Sequence, residues 1–160
     1  MSTRALASRI LDAARAQGVT VTAAESCTAG MVAAALTDPA GASAMFERGF
    51  VTYSNVAKVE MVGVSPATLD AHGAVSEEVA AEMAQGARDR AGAAWAVAIS
   101  GIAGPGGSDF KPEGRVCFAL AGAGGTSTRT IDYGALGRDG VRRAATDHAL
   151  RLLLGALEGR

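Results

Sequence analysis

The chain has few of the side chains on which metal, redox and nucleic-acid chemistries depend. Its 160 residues contain two histidines and two cysteines. Cys27 and Cys117 lie far apart in no metal-ligand or disulfide spacing, so a reducing setting suits them. His72 falls at a predicted helix end and His148 within an apolar stripe, which leaves no ligand cluster. No metal and no cofactor are expected. An excess of one charge is missing too: fifteen basic residues face sixteen acidic ones, for a net charge of −1. That balance and the lack of a basic stripe argue against a nucleic-acid partner or an anionic membrane. Long apolar runs are absent, and Met1–Leu6 leads into an amphipathic segment, so neither a signal peptide nor a spanning helix is expected. The glycines of Gly101–Gly107 form no GxGxxG fingerprint, and no GK[ST] follows them, which weakens dinucleotide-fold and P-loop readings. A soluble, cytoplasmic protein with one domain over residues 1–160 is the expectation.

Helical and strand-like periods alternate along the chain. Residues Thr3–Gln17 read as a helix with Leu6, Ile10, Leu11 and Ala14 on one face, closed by Gly18. A strand over Val19–Ala24 precedes a small-residue turn, and a helix follows from Met31 to about Asp38. Gly41–Ser43 reads as a loop. Ala44–Tyr53 has a strand pattern, Ser54-Asn55 an N-cap pattern, and a short helix runs to Val62. Ser65-Pro66 is a cap followed by proline at the first helical position, for a helix ending near His72-Gly73. Ser76-Glu-Glu opens the next helix, with Val79, Met83 and Ala87 inward. Trp95–Ser100 is a buried-strand run, and Gly101–Gly107 a backbone-rich loop. Arg115–Leu120 and Thr126–Tyr133 pair across the glycine-rich Ala121–Gly125 as a hairpin. The last helix covers Asp139–Leu157, with Val141, Ala145, His148, Leu152 and Leu153 inward. The fold class is α/β: helices on both faces of a mixed, mostly parallel sheet of about five strands. Few aromatics and many Ala and Gly suit close helix–sheet packing, and such helix faces are compatible with a homo-oligomer.

Chemistry in such folds collects at the carboxyl ends of strands. Three features converge there: Glu25-Ser-Cys-Thr28 at a strand–helix turn, Tyr53 to Lys58, and Ser100–Gly107. Free N–H groups at the helix start suit an anion or a developing oxyanion, although Ser and Thr there are also ordinary caps. Ser26 with Lys58 suggests a serine nucleophile and a lysine base, which must be neutral to act. A solvated helix lysine is the plain alternative for Lys58, as an amphipathic edge residue is for Tyr53. Cys27 is either a second nucleophile or a small core residue. Arg138, Arg142 and Arg143 are either an anion site or an exposed basic face.

The blocks Ala24-Glu-Ser-Cys-Thr-Ala-Gly30, Gly49–Asn55 with Lys58, Gly73-Ala-Val-Ser76 and Ser100–Gly107 resemble the CinA C-terminal domain family. Lys111-Pro112 with Gly114, and Gly137-Arg138 with Arg142, extend the resemblance over nearly the whole chain. It implies a three-layer α/β/α domain and nicotinamide mononucleotide amidohydrolase activity, in a form without the larger N-terminal domain many members carry. A non-catalytic nucleotide-binding or regulatory module would use the same pocket. By resemblance, Ser26 is the nucleophile, Lys58 the general base, and Tyr53 an aid to proton transfer. Substrate or oxyanion contacts are expected at Glu25, Thr28, Gly30, Ser100, Gly101, Gly104 and Gly106, with Arg142 at the phosphate. The chain departs from the family pattern at Ala29, where a second glycine is usual, and at Phe110, where a charged residue often stands.

Overall fold

A computed structural model describes residues 1–108 and 110–160. Helix α1 (Thr3–Gln17) has Ser2 accepting from the Ala5 N–H and ends at Gly18, as its periodicity requires. Strand β1 (Val21–Glu25) enters the turn before α2 (Met31–Leu36). Strand β2 (Phe50–Val51) is followed by α3 (Asn55–Val62), α4 (Pro66–His72) and α5 (Glu77–Ala91). Strands β3 (Trp95–Gly101), β4 (Arg115–Gly122) and β5 (Gly125–Asp132) precede the long helix α6 (Gly137–Leu157).

The sheet order is β2-β1-β3-β4-β5. Strand β1 pairs in parallel with β2 and β3, and the β4 neighbours are antiparallel. Only β4 therefore runs against the rest, in line with the expected mixed, mostly parallel sheet. The two faces differ in side-chain size. Val97 and Ile99 of β3 with Val116 and Phe118 of β4 pack under α1, α2 and α6. Ala96, Ala98, Cys117, Ala119 and Ala121 meet α5 on the other face. Alternation along each strand sorts large from small side chains, so α5 lies close to the sheet. Helix α3 lies equally close to α5: a Cβ on Gly86 would come 1.7 Å from the Val62 carbonyl oxygen. Glycine at that crossing is therefore obligatory, and it brings Lys58 of α3 within reach of the end of β1.

Two local expectations change. The strand pattern over Ala44–Tyr53 yields only Phe50–Val51, paired with Ala24 and Glu25. Upstream, Ala42–Ala44 is a 3-10 turn, Met45 is fully buried and Phe46 packs on the same core. The apolar residues there fill the α1–α2–α6 layer instead of a ladder. Ser65 sits at the N-cap of α4, yet its hydroxyl caps nothing. The Glu82 carboxylate of α5 does so instead, accepting from the Ser65 N–H at 2.7 Å and the Thr68 hydroxyl at 2.6 Å.

Candidate active site

Ser26 is the first residue beyond β1, and its N–H donates to the Ile99 carbonyl at 2.9 Å, extending the β1–β3 pairing. That bond fixes Ser26 at the sheet's carboxyl edge, where parallel strands open a crevice. The Ser54 hydroxyl accepts from the Ala57 N–H and starts α3. One turn on, Lys58 points inward and is 1% exposed. Its Nζ lies 3.0 Å from Ser26 Oγ, 2.9 Å from the Thr52 carbonyl oxygen and 3.3 Å from that of Tyr53. Among the described residues no carboxylate pairs with it. Burial lowers the Lys58 pKa from 10.5 to about 8, opposed by the Cys27 thiol beside it.

Three oxygens face the Lys58 amine, so an ammonium can donate to all of them. A neutral lysine has two N–H donors and one lone pair. In that form the two carbonyls, which only accept, keep both donors, and the lone pair turns to the Ser26 hydroxyl. The neutral form has the arrangement that a base beside a nucleophile would need.

The pair opens into a cavity of about 190 Å³, also lined by Cys27, Tyr53, Asn55, Ala74, Val75, Ser100, Gly101, Ala103 and Arg138. Larger hollows of about 430 Å³ and 600 Å³ lie elsewhere and contain neither Ser26 nor Lys58. Tyr53 is 57% exposed; its carbonyl meets Lys58, and its hydroxyl accepts from Arg138 at 3.1 Å. Arg138 also donates to the Gly104 carbonyl at 2.9 Å, so its guanidinium lies across the cavity mouth. The Ser100 hydroxyl donates to the Ala74 carbonyl at 2.7 Å. Cys27 is buried with its pKa pushed up to about 11, chiefly by desolvation. That keeps it a thiol, the inert form.

Several residues expected at a ligand serve the scaffold. Glu25 is 1% exposed. Its carboxylate accepts from the Thr28 hydroxyl at 2.7 Å and from the N–H groups of Val32 and Ala33 at 2.9 and 3.0 Å. The start of α2 is thus already occupied by an internal anion, as orphan N–H groups and the helix dipole favour. An oxyanion cannot use those groups. In the turn itself, among the described residues, the N–H groups of Cys27 and Thr28 donate to no other residue's backbone. Thr28 is fully buried, and Gly30 is the N-cap residue of α2. Arg142 donates to the Cys27 carbonyl at 2.9 Å and so braces the turn from behind. Gly101 lines the cavity, whereas Gly104 and Gly106 do not. Ala29 has φ +45°, so the glycine usual there answers a left-handed backbone. Sequence reasoning overlooked Asn55 at the cavity, having read Ser54-Asn55 only as a cap; its place between Tyr53 and Lys58 was the available signal.

The CinA C-terminal domain family matches residues 3–157. The chain belongs to that family. It is 56% identical over 149 residues to "Nicotinamide-nucleotide amidohydrolase PncC" of Escherichia coli K12, covering 92% of this chain and 90% of that protein. A "CinA-like protein" of Anaeromyxobacter dehalogenans is 54% identical over 89% of this chain, which spans 35% of that longer protein. Among solved structures, a competence/damage inducible protein from Agrobacterium tumefaciens superposes with TM-score 0.93 at 45% identity, covering 99% of both chains. A competence damage-inducible protein from Klebsiella pneumoniae reaches TM-score 0.94 at 40% identity, covering 99% of this chain and 98% of that one. The CinA fold of this chain therefore carries a Ser–Lys pair at the carboxyl edge of its sheet. Among the described residues no helix is long and apolar enough to cross a membrane. Among the described residues no cluster of three His, Cys, Asp or Glu could hold a metal ion.

Proposed function

We propose that this protein is a nicotinamide-nucleotide amidohydrolase of the cytoplasm, converting nicotinamide mononucleotide and water to nicotinate mononucleotide and ammonia. The observation that carries the reading is the buried Lys58 amine 3.0 Å from Ser26 Oγ, without a carboxylate partner. The likeness to relatives named for that activity supplies the substrate.

The neutral Lys58 takes the Ser26 proton as Oγ attacks the carboxamide carbon. The oxygen, now negative, accepts from backbone N–H groups of the Ser26–Thr28 turn. The tetrahedral adduct collapses as the C–N bond breaks. The leaving nitrogen takes its proton from the Lys58 ammonium, with the Tyr53 hydroxyl as an aid, and departs as ammonia. Water then gives a proton to Lys58 and attacks the acyl carbon. The ester bond breaks, Ser26 recovers its proton, and nicotinate mononucleotide leaves. Arg138 at the mouth, in place of Arg142 behind the turn, offers its guanidinium to the 5′-phosphate.

Ammonia release from nicotinamide mononucleotide tests this, with free nicotinamide and the dinucleotide as comparisons. Release from the mononucleotide, lost by at least about a thousandfold in Ser26→Ala with ligand binding retained, is the expected result. Binding without release would make the protein a nucleotide-binding module.

A further inference from the structure

From the last residue of α4, His72, through the irregular residues Gly73–Val75, the carbonyls have no helix or ladder partners. Four in succession nonetheless accept hydrogen bonds, each from a side chain. Lys111 Nζ donates to the carbonyls of His72, at 2.6 Å, and Val75. The Ser76 hydroxyl donates to Gly73 at 2.8 Å, and Ser100 to Ala74 at 2.7 Å. Lys111 thus holds both ends of the segment while the serines hold its middle. Gly73 has φ +76°, and a Cβ there would stand 3.2 Å from Lys111 Nζ. A side chain at Gly73 would strain the backbone and crowd the ammonium. The loop carrying Lys111 is itself closed by the Ser108 N–H donating to the Lys111 carbonyl at 2.9 Å.

The held segment is a partition. Ala74 and Val75 line the Ser26 cavity, and they also line the adjoining groove of about 600 Å³ on the Lys111 side. Whether the small cavity keeps its shape or opens into the groove depends on where this wall stands.

We infer that Lys111 is a positioning residue for the nucleophile's cavity: it clamps the His72–Val75 wall that orients the substrate ring over Ser26. The inference rests on the amidohydrolase reading for its substrate but not for its mechanics. Lys111 touches neither Ser26 nor Lys58, so its loss weakens orientation and leaves the base and nucleophile in place.

The test compares Lys111→Met and Lys111→Arg with the parent protein. In Lys111→Met, KM for nicotinamide mononucleotide rises about tenfold, the loss expected of hydrogen bonds to a charged donor. kcat stays within about threefold, and sulfonyl fluoride labelling of Ser26 within about twofold. Lys111→Arg, which can still bridge two carbonyls, restores most of the KM. Proteinase K nicking between His72 and Ser76 accelerates about tenfold in Lys111→Met, reporting the loosened wall without any substrate. Unchanged nicking would overturn the inference whatever the substrate, as would an unchanged KM or a parallel fall in kcat and labelling. Faster nicking in a protein that turns over no mononucleotide would uphold the clamp and refute the amidohydrolase reading instead.

Discussion

A carboxylate and an amine are buried beside Ser26, and the structure treats them in opposite ways. Glu25 and Lys58 are each 1% exposed. Glu25 meets three donors, two of them N–H groups at a helix start, so its oxygens are engaged by the scaffold. Lys58 meets two carbonyls and a hydroxyl but no carboxylate, so desolvation prevails over stabilisation of its charge. The first arrangement makes a cap. The second suits a base. Burial alone does not distinguish a structural charge from a chemical one; the partners do.

Lys58→Met tests the functional half of that contrast and has the largest expected effect. Turnover falls by at least about a thousandfold, as for loss of a general base. In the parent, kcat/KM rises with pH up to about 8, the pKa to which burial lowers Lys58, and then levels. Stability carries the same signature. An unfolded lysine keeps its proton to about pH 10.4, whereas folded Lys58 gives it up near 8. Across that window the unfolded state binds more protons, so the parent gains stability with rising pH relative to Lys58→Met. Chemical denaturation of both proteins at pH 7, 9 and 10 measures it.

Glu25→Ala tests the structural half. Three hydrogen bonds are lost from a buried site, which costs about 3 kcal/mol and lowers the melting midpoint by roughly 10 °C. In Glu25→Gln the kcat/KM profile keeps its acid limb near pH 8, because Glu25 does not touch Lys58. A shifted limb would mean the two charges act as one system, and the contrast would fail. The smallest effect belongs to the turn between them. Ala29→Gly relieves the left-handed backbone at φ +45°, for a gain of about 1 kcal/mol and a midpoint about 3 °C higher in a thermal melt.

Much of the fold was legible because it is written in local patterns. Gly18 closes α1, Ser54 and Ser76 cap their helices, and Trp95–Ser100 reads as a central strand from its apolar run. The meeting of Ser26 with Lys58 was legible as a convergence of strand ends, and the family resemblance put names to the roles. The pattern over Ala44–Tyr53 misled because burial in a helix layer and burial in a sheet demand the same residues. Glu25 misled for a related reason: an acid beside three nucleophiles suggests chemistry, and nothing nearby in sequence reveals that the start of α2 needs an anion.

The sequence by itself determined the order of elements, the small-residue face that admits α5, and the two side chains able to form a serine–lysine pair. Those follow from period, size and chemical type, which each residue carries with it. Only the tertiary structure decided that no carboxylate among the described residues pairs with Lys58, that Glu25 of β1 and Glu82 of α5 cap α2 and α4, and that Arg138 instead of Arg142 crosses the cavity mouth. Each of these depends on which polar groups meet across layers, and a polar group's partner, far from it in the chain, sets its charge and its role.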